Sequence, residues 1–279
     1  MYEEFVPEWN DPIPDSPPAS FNHDQFAGWF HLPALKHLEI WLWDTARLKE
    51  RPQDLNNLQT LVLARSTIPE EDVPFILNRT TSLQNLHLGL AYSYYCGYVF
   101  EKSDCIVRAL DSVSNTVERL SVGLDHYPVV FNERDFNGTE VTRYEHVQEA
   151  LKKFTCLKTV ELPICLSVSY DVYPDNDVDL STIWPDTLCE VGLRIDMKAG
   201  HENEWDELRM VDWVYDVLLK QRDAVPHLQW IIIRFWEPFY DDLWQEDEKR
   251  LQAKCEEIGI PLEFVNDDLS WGLWTRTIP

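Results

Sequence analysis

One spacing of apolar residues recurs along the chain. Leu35, Leu38 and Ile40 form a set in which two residues, then one, separate successive apolar positions. The same spacing returns at Leu58-Leu61-Leu63, Leu83-Leu86-Leu88, Val117-Leu120-Val122, Leu157-Val160-Leu162, Leu188-Val191-Leu193 and Leu228-Ile231-Ile233. In each set the last two residues stand two apart, so in an extended segment they share one face. The first lies three residues earlier, where the chain turns in to pack on the neighbouring unit. This L-x-x-L-x-L self-similarity is the signature of leucine-rich repeats, whose units bury their apolar edges only against one another. The pattern predicts an α/β fold: a leucine-rich-repeat solenoid, or horseshoe, with a short-stranded parallel sheet on the concave face and helices on the convex face. Right-handed crossovers are expected.

The intervals from Leu35 to Leu58 and from Leu58 to Leu83 fit ordinary units of roughly 20–29 residues. Later intervals are longer and require helices plus insertions. Helical spacing and proline placement predict helices over Pro69–Arg79, Lys102–Val113, Arg143–Phe154 and Trp205–Arg222. A further helix over Asp241–Ile258 precedes an eighth strand at Leu262–Phe264. Residues 1–31 differ, because Pro7, Pro12, Pro14, Pro17 and Pro18 rule out a long helix there. Their aromatic content predicts an acidic, proline-rich cap on the first repeat. Residues 32–279 then form a repeat domain of about seven to eight irregular repeats.

If the paired apolar residues face the core, their neighbours face the concavity. Between them stand Glu39, Val62, His87, Ser121, Glu161, Gly192 and Ile232. One step beyond come Trp41, Ala64, Gly89, Gly123, Pro163, Arg194 and Arg234, and two further on Trp43, Ser66, Ala91, Asp125, Cys165, Asp196 and Trp236. Small residues in the middle repeats, with Trp41 and Trp43 at one end and Trp230 and Trp236 at the other, predict a hollow with aromatic end walls. Its polar groups would be His87, Asp125, Arg194 and Asp196, and Arg234 joins the candidate binding residues. Aromatic connections after the third to fifth strands (Tyr92, Tyr94, Tyr95, Tyr98 and Phe100; Tyr127, Phe131 and Phe136; Tyr170 and Tyr173) would leave from the same edge.

Composition narrows the partners. The 24 basic and 49 acidic side chains leave a formal charge of −25, which disfavours nucleic acid and anionic membrane alike. No apolar run is long enough to span a bilayer, and the Met-Tyr-Glu-Glu start predicts no secretory leader. Six cysteines without a C-x-x-C pair point to reduced thiols rather than zinc ligands or disulfides, and so to cytoplasm or nucleus.

Catalytic and cofactor motifs are missing. His201-Glu202-Asn203-Glu204 opens like a zinc-protease string but has Trp205 where a second histidine is needed. Asp175, Asp177, Asp179 and Asp186 have calcium-loop spacing, but Leu180 replaces the glycine of the sharp turn. No metal and no cofactor is expected. His87 with Asp125 or Asp196 is the only catalytic constellation the rows permit, and it requires hydrogen-bond proximity. Two functional readings stay open: a non-catalytic module that binds a protein or peptide, and a small-molecule-binding protein or repurposed enzyme with a pocket on the concave or loop edge.

LPALKHLEI (Leu32–Ile40), LNNLQTLVL (Leu55–Leu63) and TTSLQNLHL (Thr80–Leu88) resemble the leucine-rich repeats of fungal F-box-like proteins. KRLQAKCEEIGIPLEF (Lys249–Phe264) is similar to the terminal helix and strand of that group. The resemblance implies a substrate receptor of a cullin–RING ubiquitin ligase, with the repeats holding the target. The F-box itself, a helical module opening Leu-Pro-x-Glu, is not found, so adaptor binding is not carried over.

Overall fold

The computed structural model describes residues 28–42, 45–50, 52, 54–93, 103–127, 150–163, 179–194, 214–235 and 242–266. Each recurrent apolar set forms or enters a strand: β1 His37–Ile40, β2 Thr60–Ser66, β3 Asn85–Ser93, β4 Arg119–Tyr127, β5 Thr159–Pro163, β6 Glu190–Arg194 and β7 Trp230–Phe235. An eighth, β8, spans Leu262–Asn266. The eight strands make one sheet in chain order, β1 to β8, and each pairs parallel with the next.

The repeat spacing sets the register. Leu38, Leu61, Leu86, Leu120, Val160, Val191, Ile231 and Leu262 form one continuous row of paired residues. Seven of these are buried, and Leu262 on the last strand is partly so. The row two residues on, from Ile40 to Ile233, is also buried. Leu58, Leu83, Val117, Leu157, Leu188 and Leu228, at the turn into each strand, complete the core. Backbone bonds extend the ladder one residue before the strands, from Gln84 N–H to the Gln59 carbonyl (2.9 Å) and from Lys158 N–H to the Glu118 carbonyl (2.8 Å).

Helices cover the inner face. The short helices are α1 Ala46–Glu50, α2 Val73–Leu77 and α4 Leu180–Ile183, and the longer ones are α3 Ser103–Val113 and α5 Asp242–Ile258. In α3 the buried residues Ile106, Ala109, Leu110 and Val113 follow helical spacing. Gly259, at φ 74°, ends α5 in the left-handed region, which a β-carbon would disfavour.

Some expectations require correction. The helix expected over Trp205–Arg222 is helical in its described part, but as a π-helix at Val214–Leu219 that stops short of Arg222, where a separate 3-10 turn spans Arg222–Ala224. Of the helix expected over Arg143–Phe154, only the end from Ala150 lies among the described residues. Ser66 does not face outward with Ala91 and Asp125. The β2–β3 register shifts after Leu63, so Ser66 pairs with Leu90. The extra residue of this bulge turns Ser66 inward, where it is fully buried and its Oγ accepts the Leu42 N–H at 3.0 Å. Asp179 caps α4 by accepting the Ser181 N–H at 2.9 Å, and Leu180 sits in the core. Asp175 and Asp177 lie outside the described residues.

Candidate functional site

Residues that alternate with the core rows line the outer face of the sheet, and they fall into three rows. The leading row holds His37, Thr60, Asn85, Arg119, Thr159, Glu190 and Trp230. His37, Arg119 and Trp230 are exposed, while Asn85, Thr159 and Glu190 are half-buried. The middle row runs from Glu39 through Val62, His87, Ser121, Glu161, Gly192 and Ile232 to Glu263. The trailing positions pair Gly89 with Gly123, and Pro163 with Arg194, Arg234 and Val265 in turn. At the centre of the face, the middle and trailing positions are buried.

The buried part is polar. His87, Ser121, Glu161, Arg194 and Arg234 are 0%, 5%, 5%, 6% and 9% exposed. Glu161 Oε1 accepts Arg194 Nη1–H at 3.2 Å, and Oε2 accepts Arg234 Nε–H at 3.1 Å. The second bond crosses a whole strand, because Glu161 is on β5 and Arg234 on β7. Gly192 of β6 makes the crossing possible: a β-carbon there would lie 2.8 Å from Glu161 Cγ and 3.0 Å from its Cβ. Glutamate therefore lies over a position with no side chain.

A buried ion group of this kind is held by its own charge-assisted bonds, since desolvation offsets much of the Coulombic gain. His87 is kept neutral. Its pKa is lowered to about 3, first by burial and second by the Arg194 guanidinium. Ser121 stands between His87 and Glu161 in the middle row. Its Oγ is buried and has no hydrogen-bond partner among the described residues. Such an omission ordinarily costs about 1–3 kcal/mol.

The structure brings together some of the residues singled out from the sequence and separates others. His87 and Arg194 share the buried centre, and Arg234 joins them through Glu161. Trp41 follows β1 and is 42% exposed, whereas Trp230 opens β7 and is 43% exposed. The two tryptophans thus mark opposite ends of the strand direction as well as opposite sides of the sheet. Asp125 lies on β4 paired with Ala91, but its side chain is outside the described residues. Trp43, Asp196 and Trp236 are outside them too, as are Tyr94, Tyr95, Tyr98, Phe100, Phe131, Phe136, Tyr170 and Tyr173.

Glu161 and Ser121 stand in the outward rows of the sequence, but nothing in the pattern of those rows assigns either a role. The usable signal was Glu161 beside Gly192 in register, with arginines at the next outward positions of β6 and β7. Among the described residues, no group of three or more His, Cys, Asp or Glu could hold a metal ion. Nor is any described helix long and apolar enough to cross a membrane. No protein-family model matches the chain, and comparison with curated proteins finds no match.

Proposed function

We propose that this chain is a leucine-rich-repeat binding module, non-catalytic, that takes a protein or peptide on the concave face of its solenoid. The repeat reading is supported by seven L-x-x-L-x-L sets, each in or entering a strand, and by parallel pairing in chain order. The observation that carries the binding reading is the division of the outer face. Its leading row keeps His37, Arg119 and Trp230 exposed and Asn85, Thr159 and Glu190 half-buried, with only Thr60 buried. Exposed Trp230 beside the Glu190 carboxylate, with exposed Arg119 three strands along the same row, has the aromatic and arginine composition of a protein-recognition surface. On the resemblance to F-box-like proteins, the partner is a target protein held by a ubiquitin-ligase-type receptor whose adaptor module is not found in this sequence. A cytoplasmic or nuclear protein is the partner this reading requires.

The test is to identify partners by capture from the native cell, then to measure their affinity for Arg119→Ala, Glu190→Ala and Trp230→Ala. Trp230→Ala is expected to cost about 2 kcal/mol or more, near thirtyfold in Kd. Unchanged affinity in all three variants removes the leading row from consideration.

A second reading, a small-molecule-binding protein, is favoured by a separate observation: the polar groups at the centre of the same face are enclosed. Polar side chains gathered out of water suit a small ligand better than a second protein surface.

A further inference from the structure

We infer that the leading row takes an extended peptide segment of its partner that presents a carboxylate, a cationic group and an apolar side chain on alternate residues. These meet Arg119, Glu190 and Trp230 in that order. The inference rests on the binding reading above and adds to it the charge pattern of the partner.

Three observations carry it. First, the register sets Arg119 on β4, Thr159 on β5, Glu190 on β6 and Trp230 on β7 in one line of paired residues. Arg119 and Trp230 are exposed, and Thr159 and Glu190 are half-buried. Second, the side chains of Arg119 and Glu190 make no hydrogen bond or ion pair among the described residues. Charges one residue earlier on the same strands are already matched: Lys158 Nζ donates to Glu118 Oε2 at 2.6 Å. Third, the line runs cation, hydroxyl, carboxylate, indole. Its complement is an anion, a backbone polar group, a cation and an apolar side chain.

The spacing sets the conformation of that complement. Neighbouring strands lie about 4.8 Å apart, so Arg119 and Trp230, three strands apart, are separated by about 14 Å. An extended segment laid across the strands rises about 3.4 Å per residue and turns every second side chain to the same side. Its first, third and fifth side chains therefore cover the line from Arg119 to Trp230. The third lies within reach of Glu190, and the Thr159 hydroxyl is left for a peptide group. The formal charge of −25 attracts any basic segment from a distance but does not read the order of its charges. Arg119 and Glu190 read that order.

The experiment uses the full chain and fluorescently labelled synthetic peptides, with anisotropy as the readout. Between glycine-serine flanks, the probes carry Asp-Thr-Lys-Thr-Leu, the reverse sequence, and versions of both with Asp and Lys exchanged. All four have the same net charge, so attraction to the acidic chain is common to them. One of the first two is expected to bind about fivefold tighter than its exchanged version, the margin of two surface ion pairs. That preference should shrink in about 0.5 M salt. A double variant, Arg119→Glu with Glu190→Lys, should prefer the exchanged peptide instead. Both substitutions fall on outward-facing side chains, and an unchanged unfolding temperature checks that the fold is kept.

The inference is overturned if the wild type binds none of the peptides, binds the exchanged versions equally well, or shares its preference with the double variant. Captured partners that lose affinity on Trp230→Ala while the peptides show no charge preference remove the inference and leave the binding reading standing. Captured partners unaffected by all three alanine variants remove both.

Discussion

At Gly192 a single methyl group would decide the course of the Glu161 side chain. The clash involves Cγ and Cβ, close to the backbone, so rotating the carboxylate end does not relieve it. Gly192→Ala is expected to destabilise the protein by about 1–3 kcal/mol, measured as a lower urea midpoint with unchanged slope. In a Glu161→Ala background most of that penalty should vanish, since the two side chains no longer collide. His87 gives a prediction in pH. Its pKa lies at about 3 in the folded chain against an ordinary 6.5, so the unfolded chain binds the extra proton in between. Its contribution to stability is complete above pH 6.5 and is lost as pH falls toward 3, by about 1.4 kcal/mol per unit. Denaturation of wild type and His87→Gln at about pH 7, 5.5 and 4.5 should show the difference between them changing with that slope. A constant difference would mean that His87 takes up its proton in the fold. At this scale the sequence identified His87, Arg194 and Arg234 as outward-facing but gave no sign that they would be enclosed. Alternation reports which face a side chain takes. It does not report what lies over that face, or that Glu161 is long enough to cross a bare glycine.

Among elements, the strands were legible because one spacing carries both the extended conformation and the pairing register. Val117-Leu120-Val122, with two substitutions from leucine, lines up as well as Leu83-Leu86-Leu88, since burial asks for an apolar group rather than a particular one. The bulge after Leu63 left no trace in the pattern: an extra residue keeps the upstream apolar positions intact and inverts only the positions downstream of it. The π form of the helix at Val214–Leu219 was hidden for a related reason, because Val214 and Leu218 keep helical spacing while the hydrogen bonding changes. The rows also predict how damage spreads. Leu86→Ala on β3 and Ile231→Ala on β7 should each cost about 2–5 kcal/mol, both being fully buried. Three strands separate them, so the double variant should equal the sum within about 0.5 kcal/mol by chemical denaturation. A large departure would show that β3 and β7 do not sit in independent parts of the core.

For the molecule as a whole, the net acidic charge and the buried ion group act at different ranges. A formal charge of −25 repels polyanions at a distance, and that field is screened over about 10 Å at 0.1 M salt. The arginines of the enclosed group are shielded from that screening by their burial. The Glu161–Arg234 bond has a mechanical consequence too. A stack of strands held only by adjacent partners can peel from its end one layer at a time. A clasp that skips β6 denies that route, because β7 cannot lift away without tearing out the carboxylate that also restrains β6. Tugged from its C-terminal end, the ribbon would release β8 by itself. It would then resist until β7 and β6 gave way together.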